Sequence, residues 1–201
     1  EIDDELIRRL RALDLKAERY RLLVDPLSAA TKAGLHKQAR ISTIGATTRI
    51  ENAMLTDVQI EWVDTVLTAD SRTTAFSQHR NLLLDKLSKD RERSLEEVAG
   101  CRDMLALVYS EGPDAVPLLA VFIRGLHFEL LKHYPPAGFH AGRYKLVPNS
   151  VVERNAATGG ERTVLKTSSP GLETEMAIQD LLAWYNQESR THPWILAVAS
   201  E

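Results

Sequence analysis

The chain has 201 residues, 44% of them hydrophobic and 26% charged, with a net charge of −3 and an isoelectric point near 6.1. That length holds one domain, or one domain with a helical extension, and the composition is that of a globular protein with a true core. The charge balance gives no electrostatic reason for a direct nucleic-acid partner, a single cysteine excludes an internal disulfide, and no apolar run is long enough to span a bilayer. Cys101 is read as a small apolar filler. The lack of a cysteine framework suits a reducing cytoplasm, which is the expected compartment, and no signal peptide is seen.

Leu6, Ile7, Leu10 and Leu13 recur at helical spacing in "DDELIRRLRALDLKAERYRLL", with charge on the other face, so a first helix is predicted there. Pro26 in "VDPLS" ends it. A second helix is predicted from about Leu27 into "ARISTIGATTRIENAM". "TDVQ" is a capping box, Thr56 with Gln59, opening a third helix with Ile60, Val63 and Val66. "SLEE" reads as another, Ser94 with Glu97, ahead of "VAGCRDMLALVY". "SEGPD" is a turn. "AVPLLAVFIRGLHFELLKHY" is apolar almost all round and reads as a core helix, with Pro117 in its first turn.

Helical periodicity then stops. "LVPNSVV" and "RTVLKT" flank the Gly-rich "RNAATGGE" as two strands flank a hairpin tip. Past Pro170 an amphipathic helix carries Met176, Leu181, Leu182, Trp184 and Tyr185. "THPWILAVASE" reads as the start of a further apolar helix, with Thr191 as N-cap and Pro193 in the first turn. The chain begins at Glu1 rather than Met, and no cap follows the last run, so the natural protein is expected to continue beyond both ends. The expected fold is mainly α with one β-hairpin.

Candidates for chemistry are few. There are six histidines but no HExxH and no CxxC. His133 and His140 flank "PPAGF", and either meet across that turn or are ordinary turn histidines. His192 follows a helix N-cap, where a neutral ring packs well. There is no GxSxG, and "ATGGER" reads as a hairpin tip rather than a phosphate loop.

The stretch "TTRIENAML" is more informative. On a helix, Ile41, Ile44, Thr48 and Glu51 share one face, and the isoleucines should turn it towards protein. Thr47, four residues before Glu51, is close enough for its hydroxyl to support that carboxylate. Gly45 and Ala46 are small enough for another backbone to approach. A carboxylate on an inward face requires a cationic or hydrogen-bonding partner. Arg49 points elsewhere, so the partner must come from another part of the fold. The alternative at this point is a solvated glutamate near a helix end.

These residues carry a family resemblance. "TTRIEN" matches the inhibitory motif of Fic-family proteins, Ser/Thr-xxx-Glu-Gly/Asn, and "AMLTDVQIEWV" resembles the LTDxxV continuation common beside it. "GRYKLVPNSVV" looks like the family's lead-in to its flap hairpin, and "RTVLKTSSP" is similar to the returning flap strand. "LLAWYNQESRTHPWILAVASE" resembles the LxxWxN…HPLxxAAxxH segment that precedes the catalytic loop. Order and spacing agree over roughly residues 35–201.

The resemblance implies a Fic-type helical fold of the class with an N-terminal inhibitory helix. Residues 1–110 would form a helical region carrying the motif. Residues 111–201 would form the first part of the Fic domain, with the flap hairpin at 145–168. Such enzymes transfer AMP from ATP, with Mg²⁺, to a Tyr, Thr or Ser hydroxyl of a target protein. Their loop reads HxFx(D/E)GNGRxxR, and its histidine is the general base.

No such loop occurs in the 201 residues, so no catalytic residue and no metal ligand is assigned here. Glu51 matches the inhibitory glutamate that pairs with the loop's last arginine. Thr47 and Asn52 match the other two motif positions, Thr47 to hold the carboxylate and Asn52 to end the helix. Thr163, Val164, Leu165 and Lys166 match the flap strand, which would pair with the target by β-augmentation. The expected function is that of a self-inhibited protein adenylyltransferase, this chain alone being inactive. A second reading is a non-catalytic regulatory or interaction module on the same scaffold. Expected partners are a target protein with a modifiable hydroxyl and a second copy in a homodimer, with no membrane, and nucleic acid only through a further domain.

Overall fold

A computed structural model describes residues 4–50, 53–68, 76–87, 91–154, 159–188 and Pro193. The chain is mainly α-helical, with one two-stranded antiparallel sheet among the described residues. In chain order the elements are α1 (Asp4–Val24), α2 (Ala29–Ile50), α3 (Asp57–Val66), α4 (Phe76–Leu87), α5 (Glu92–Glu111), α6 (Ala120–Leu131), β1 (Ser150–Arg154), β2 (Glu161–Lys166) and α7 (Leu172–Gln187).

Local charge favours α1. Asp4 and Glu5 occupy its first turn and Arg21 its last, each suited to the helix dipole, and Glu5–Arg9 and Glu18–Arg21 pair along the surface. The helix buries none of its residues. Its leucine stripe therefore has no covering element among the described residues.

The core lies between α2, α3, α4 and α5. Ile41, Ile44, Ile60, Val63, Leu83, Leu95 and Val98 are buried together, with Cys101 among them as the filler expected of it. Burial pushes the Cys101 thiol up to about 11, so it stays protonated and unreactive at neutral pH. The capping box of α3 forms as expected: the Gln59 amide donates to the Thr56 hydroxyl, and the Thr56 amide donates to the Gln59 side chain.

A charged network is sunk into this core. Asp64, 2% exposed, accepts from Arg40 at 3.0 Å and from Arg102 at 2.9 Å. Arg102, itself buried, also donates to the Leu67 carbonyl and the Thr68 hydroxyl. One guanidinium thus ties α5 to the end of α3, and Asp64 ties both to α2. Asp103, next in sequence, accepts from Lys132 and His133 just past α6. Burial alone would raise its carboxyl, but those two donors outweigh it and hold it at about 2.

Three expectations are corrected. Ser94 does not cap α5. The helix starts two residues earlier, at Glu92, and Ser94 is buried within it, its hydroxyl accepting from the Met54 amide at 3.0 Å. The serine is thus spent on pinning the α2–α3 connection to α5. Pro117 does not lie in the first turn of α6. The helix begins at Ala120, because the side-chain amide of Asn186 takes both the amide and the carbonyl of Leu118, at 2.7 and 2.8 Å, and holds that segment out of the helix. Lastly, α6 is not a core helix: it buries none of its residues, and Val121 and Phe128 are 62% and 48% exposed. Its closest approach to α5 is at Gly100. A Cβ there would stand 2.0 Å from the Leu130 carbonyl oxygen, so only glycine allows the two helices to come this close.

β1 and β2 pair from Ser150 with Lys166 to Arg154 with Glu161. The register slips between Val151, opposite Leu165, and Val152, opposite Thr163, leaving Val164 as the extra residue of a bulge. Ion pairs Arg154–Glu161 and Arg162–Glu153 brace the tip side. At the root, the Thr167 hydroxyl donates to the Asn149 carbonyl at 2.7 Å, and Lys145 donates to the Asn149 side chain at 2.9 Å. Every residue of both strands is exposed.

Candidate functional site

The face predicted for α2 is the one it buries. Ile41, Ile44 and Thr48 are 2%, 1% and 4% exposed, and the Thr48 hydroxyl donates back to the Ile44 carbonyl at 2.8 Å. Arg49 turns away, as expected, and pairs with Asp57 at 2.8 Å. That pair also closes over Gly45. What crowds it is the Asp57 carboxylate, 2.7 Å from where a Cβ would stand, and the Arg49 guanidinium, so side chains rather than the expected backbone fill the space. Glu51 and Asn52 lie outside the described residues. The chain resumes at Ala53, whose amide donates to the Thr48 carbonyl at 2.9 Å.

The end of α2 overlooks a cavity of about 390 Å³ between α5 and α6. Thr47, exposed and on its rim, is joined by Arg93 and Glu97 of α5, His127 and Leu130 of α6, and Tyr134. Arg93 donates to Glu97 at 2.8 Å and lies 5.6 Å from the Tyr134 ring centroid, so the cavity presents a paired charge beside an aromatic face. Arg93, Glu97 and His127 were not legible as site residues from the sequence. The available signals were an Arg–Glu pair at helical spacing and a polar ring in an apolar helix, and both are common on ordinary surfaces.

His127 sits between this cavity and a second. Its Nδ1 accepts from the Gly142 amide at 3.1 Å. Gly142 has a φ of +69°, and a Cβ there would meet the Phe128 Cβ at 2.9 Å, so the turn after α6 closes tightly onto the helix. Burial lowers the His127 pKa, and the neighbouring His140, 6.3 Å away between ring centroids, lowers it further.

His133 and His140 are not brought together. His133 binds Asp103 at 2.9 Å and lies tilted against Phe76, with ring centroids 4.7 Å apart, while His140 lies near His127 and edge-on to Phe139. His192 lies outside the described residues. Among the described residues no group of three or more His, Cys, Asp or Glu could hold a metal ion, and none is assigned to Mg²⁺.

Thr163, Val164, Leu165 and Lys166 form most of β2, all exposed. The sheet has only two strands, so among the described residues the outer edge of β2 has no strand beside it. Val164 and Leu165 are 57% and 56% exposed and offer apolar side chains along that strand. No described helix is long and apolar enough to cross a membrane. No protein-family model, no curated protein and no solved structure matches the chain.

Proposed function

We propose that this chain carries the inhibitory helix and the target-docking hairpin of a self-inhibited protein adenylyltransferase, one that transfers AMP from ATP to a hydroxyl of a target protein. The observation that supports this reading most is the placement of the end of α2. Thr47 stands on the rim of the cavity between α5 and α6, and Glu51 follows it by four residues in the sequence. The free edge of β2 supports the second half of the reading, since an extended target segment can add to it through main-chain hydrogen bonds.

In the proposed reaction the target hydroxyl oxygen attacks the α-phosphorus of ATP, the bond to the bridging α–β oxygen breaks, and pyrophosphate leaves. The hydroxyl proton passes to the histidine of the catalytic loop, with ATP and Mg²⁺ belonging to the complete protein. This chain contributes restraint and docking rather than the bond-making groups. Glu51 would compete with the γ-phosphate for the loop's last arginine.

The test is self-labelling with isotopically marked ATP, in a chain that includes the catalytic loop, comparing wild type with Glu51→Gly. Removing the carboxylate frees the arginine, and labelling should rise by about tenfold or more. Equal labelling in the two proteins would remove the inhibitory role. No labelling in either would favour the non-catalytic module.

A further inference from the structure

We propose that the cavity at the root of the hairpin binds a small phosphate-bearing molecule with an apolar or aromatic body. This cavity, about 410 Å³, lies between α6 and the segment leading into β1. His127, His140, Arg143, Lys145 and Asn149 line it, and Phe139 supplies an aromatic wall. The lining contains no carboxylate, in a chain whose net charge is −3.

The donors are available. The Arg143 guanidinium has no hydrogen-bond or ion-pair partner among the described residues and is exposed. Lys145 spends two of its three protons on the neutral acceptors Asn149 and Thr167, so its charge is not neutralised by direct contact and one proton remains. Lys145 acts at a distance on Glu173, whose carboxyl is held low first by Ser169 and only then by Lys145 and Lys166. His127 accepts from the Gly142 amide through Nδ1, which places the hydrogen of its neutral ring on Nε2. A neutral His127 is therefore already a donor, in the tautomer the backbone selects.

The number and type of these groups favour phosphate over carboxylate. Two full cations match a dianion, and the guanidinium fork, the remaining ammonium proton and the ring N–H can be shared among three terminal oxygens rather than two. Phe139, 70% exposed and edge-on to His140, gives the rest of the ligand an apolar surface. All six residues lie in 127–149, apart from the inhibitory motif and from β2, so the proposal stands whether or not the transferase reading does.

Calorimetric titration of the 201-residue chain at physiological salt tests it, with phenyl phosphate, inorganic phosphate and benzoate as probes. Arg143→Gln is the disabling variant, chosen because Arg143 supports no other described side chain. Arg8→Gln on α1 is the charge-matched control. Circular dichroism checks that both remain folded.

Phenyl phosphate should saturate one site, inorganic phosphate should bind more weakly, and benzoate more weakly than phenyl phosphate by about tenfold. Arg143→Gln should weaken phenyl phosphate by about tenfold, with Arg8→Gln within about twofold of wild type. No saturation by about 10 mM would overturn the proposal, as would equal weakening by the two variants. Benzoate binding as tightly as phenyl phosphate would overturn the assignment to phosphate.

Discussion

α2 buries the stripe its sequence suggests, whereas α6 does not. α2 is balanced between polar and apolar residues, yet it delivers Ile41, Ile44, Gly45 and Thr48 to the core. α6 is the most apolar of the described helices and buries nothing. The difference is one of neighbours. α2 is met by both α3 and α5, whereas α6 packs extensively on α5 alone and only slightly on α7, which leaves the rest of its surface uncovered among the described residues. Apolar content measures the drive to be covered. Burial depends on whether another element arrives at that face.

The same contrast holds for charge. The α2–α5 block buries Asp64, Arg102 and Glu96, while the hairpin keeps its ion pairs in solvent. Buried pairs are costly to break from one side, and exposed pairs contribute little.

The sharpest way to break this comparison is Asp64→Ala. It takes a carboxylate from buried Arg102 and half-buried Arg40 and should cost about 3–5 kcal/mol, read as a fall in the urea midpoint. Glu153→Ala in the hairpin removes an exposed partner and should shift stability by less than about 1 kcal/mol. Equal effects would mean that Asp64 is solvated in solution.

A matched glycine pair comes next. Gly100→Ala forces a Cβ against the Leu130 carbonyl and should destabilise by about 3 kcal/mol, the upper range for overpacking. Gly125→Ala, within α6 and with nothing near the added carbon, should instead stabilise by about 0.5–1 kcal/mol through helix propensity. Thermal midpoints moving in opposite directions are the expected result.

A third comparison is made in acid. Asp103 is held at about 2 in the folded protein, below the ordinary aspartate value of 3.8, so its contribution is complete above about pH 4 and is lost as pH falls towards 2. Glu96 has the opposite sign: burial raises its pKa, more than Arg80 lowers it, so protonating it in acid relieves a penalty. The Asp103 share is isolated by comparing wild type with Asp103→Asn. The wild-type advantage, about 2 kcal/mol at pH 6, should shrink to a small fraction of that by about pH 2 and vanish below it.

Much of the fold was legible in the residues. The helix of Asp4–Val24, the Thr56–Gln59 box, the inward stripe of Ile41, Ile44 and Thr48, and the hairpin around its Gly-rich tip all follow from local rules with short reach. Ser94 shows where such rules fail. Its SLEE spacing fits a cap, but a long-range amide from Met54 claims the hydroxyl instead. Of the site, the α2 face and the hairpin strand were readable. The cavity partners Arg93, Glu97 and His127 were not, because nothing local marks which exposed polar residues converge.

The sequence by itself determined the helical character, the pattern of turns and the face that α2 presents, because each depends on periodicity and capping within a few residues. Only the tertiary structure decided which apolar helix is covered, where Asn186 stops α6 from starting early, and how Arg143, Lys145 and His127 come to share one cavity. Those outcomes depend on contacts between residues far apart in the chain, and their energies exceed the local preferences that the sequence displays.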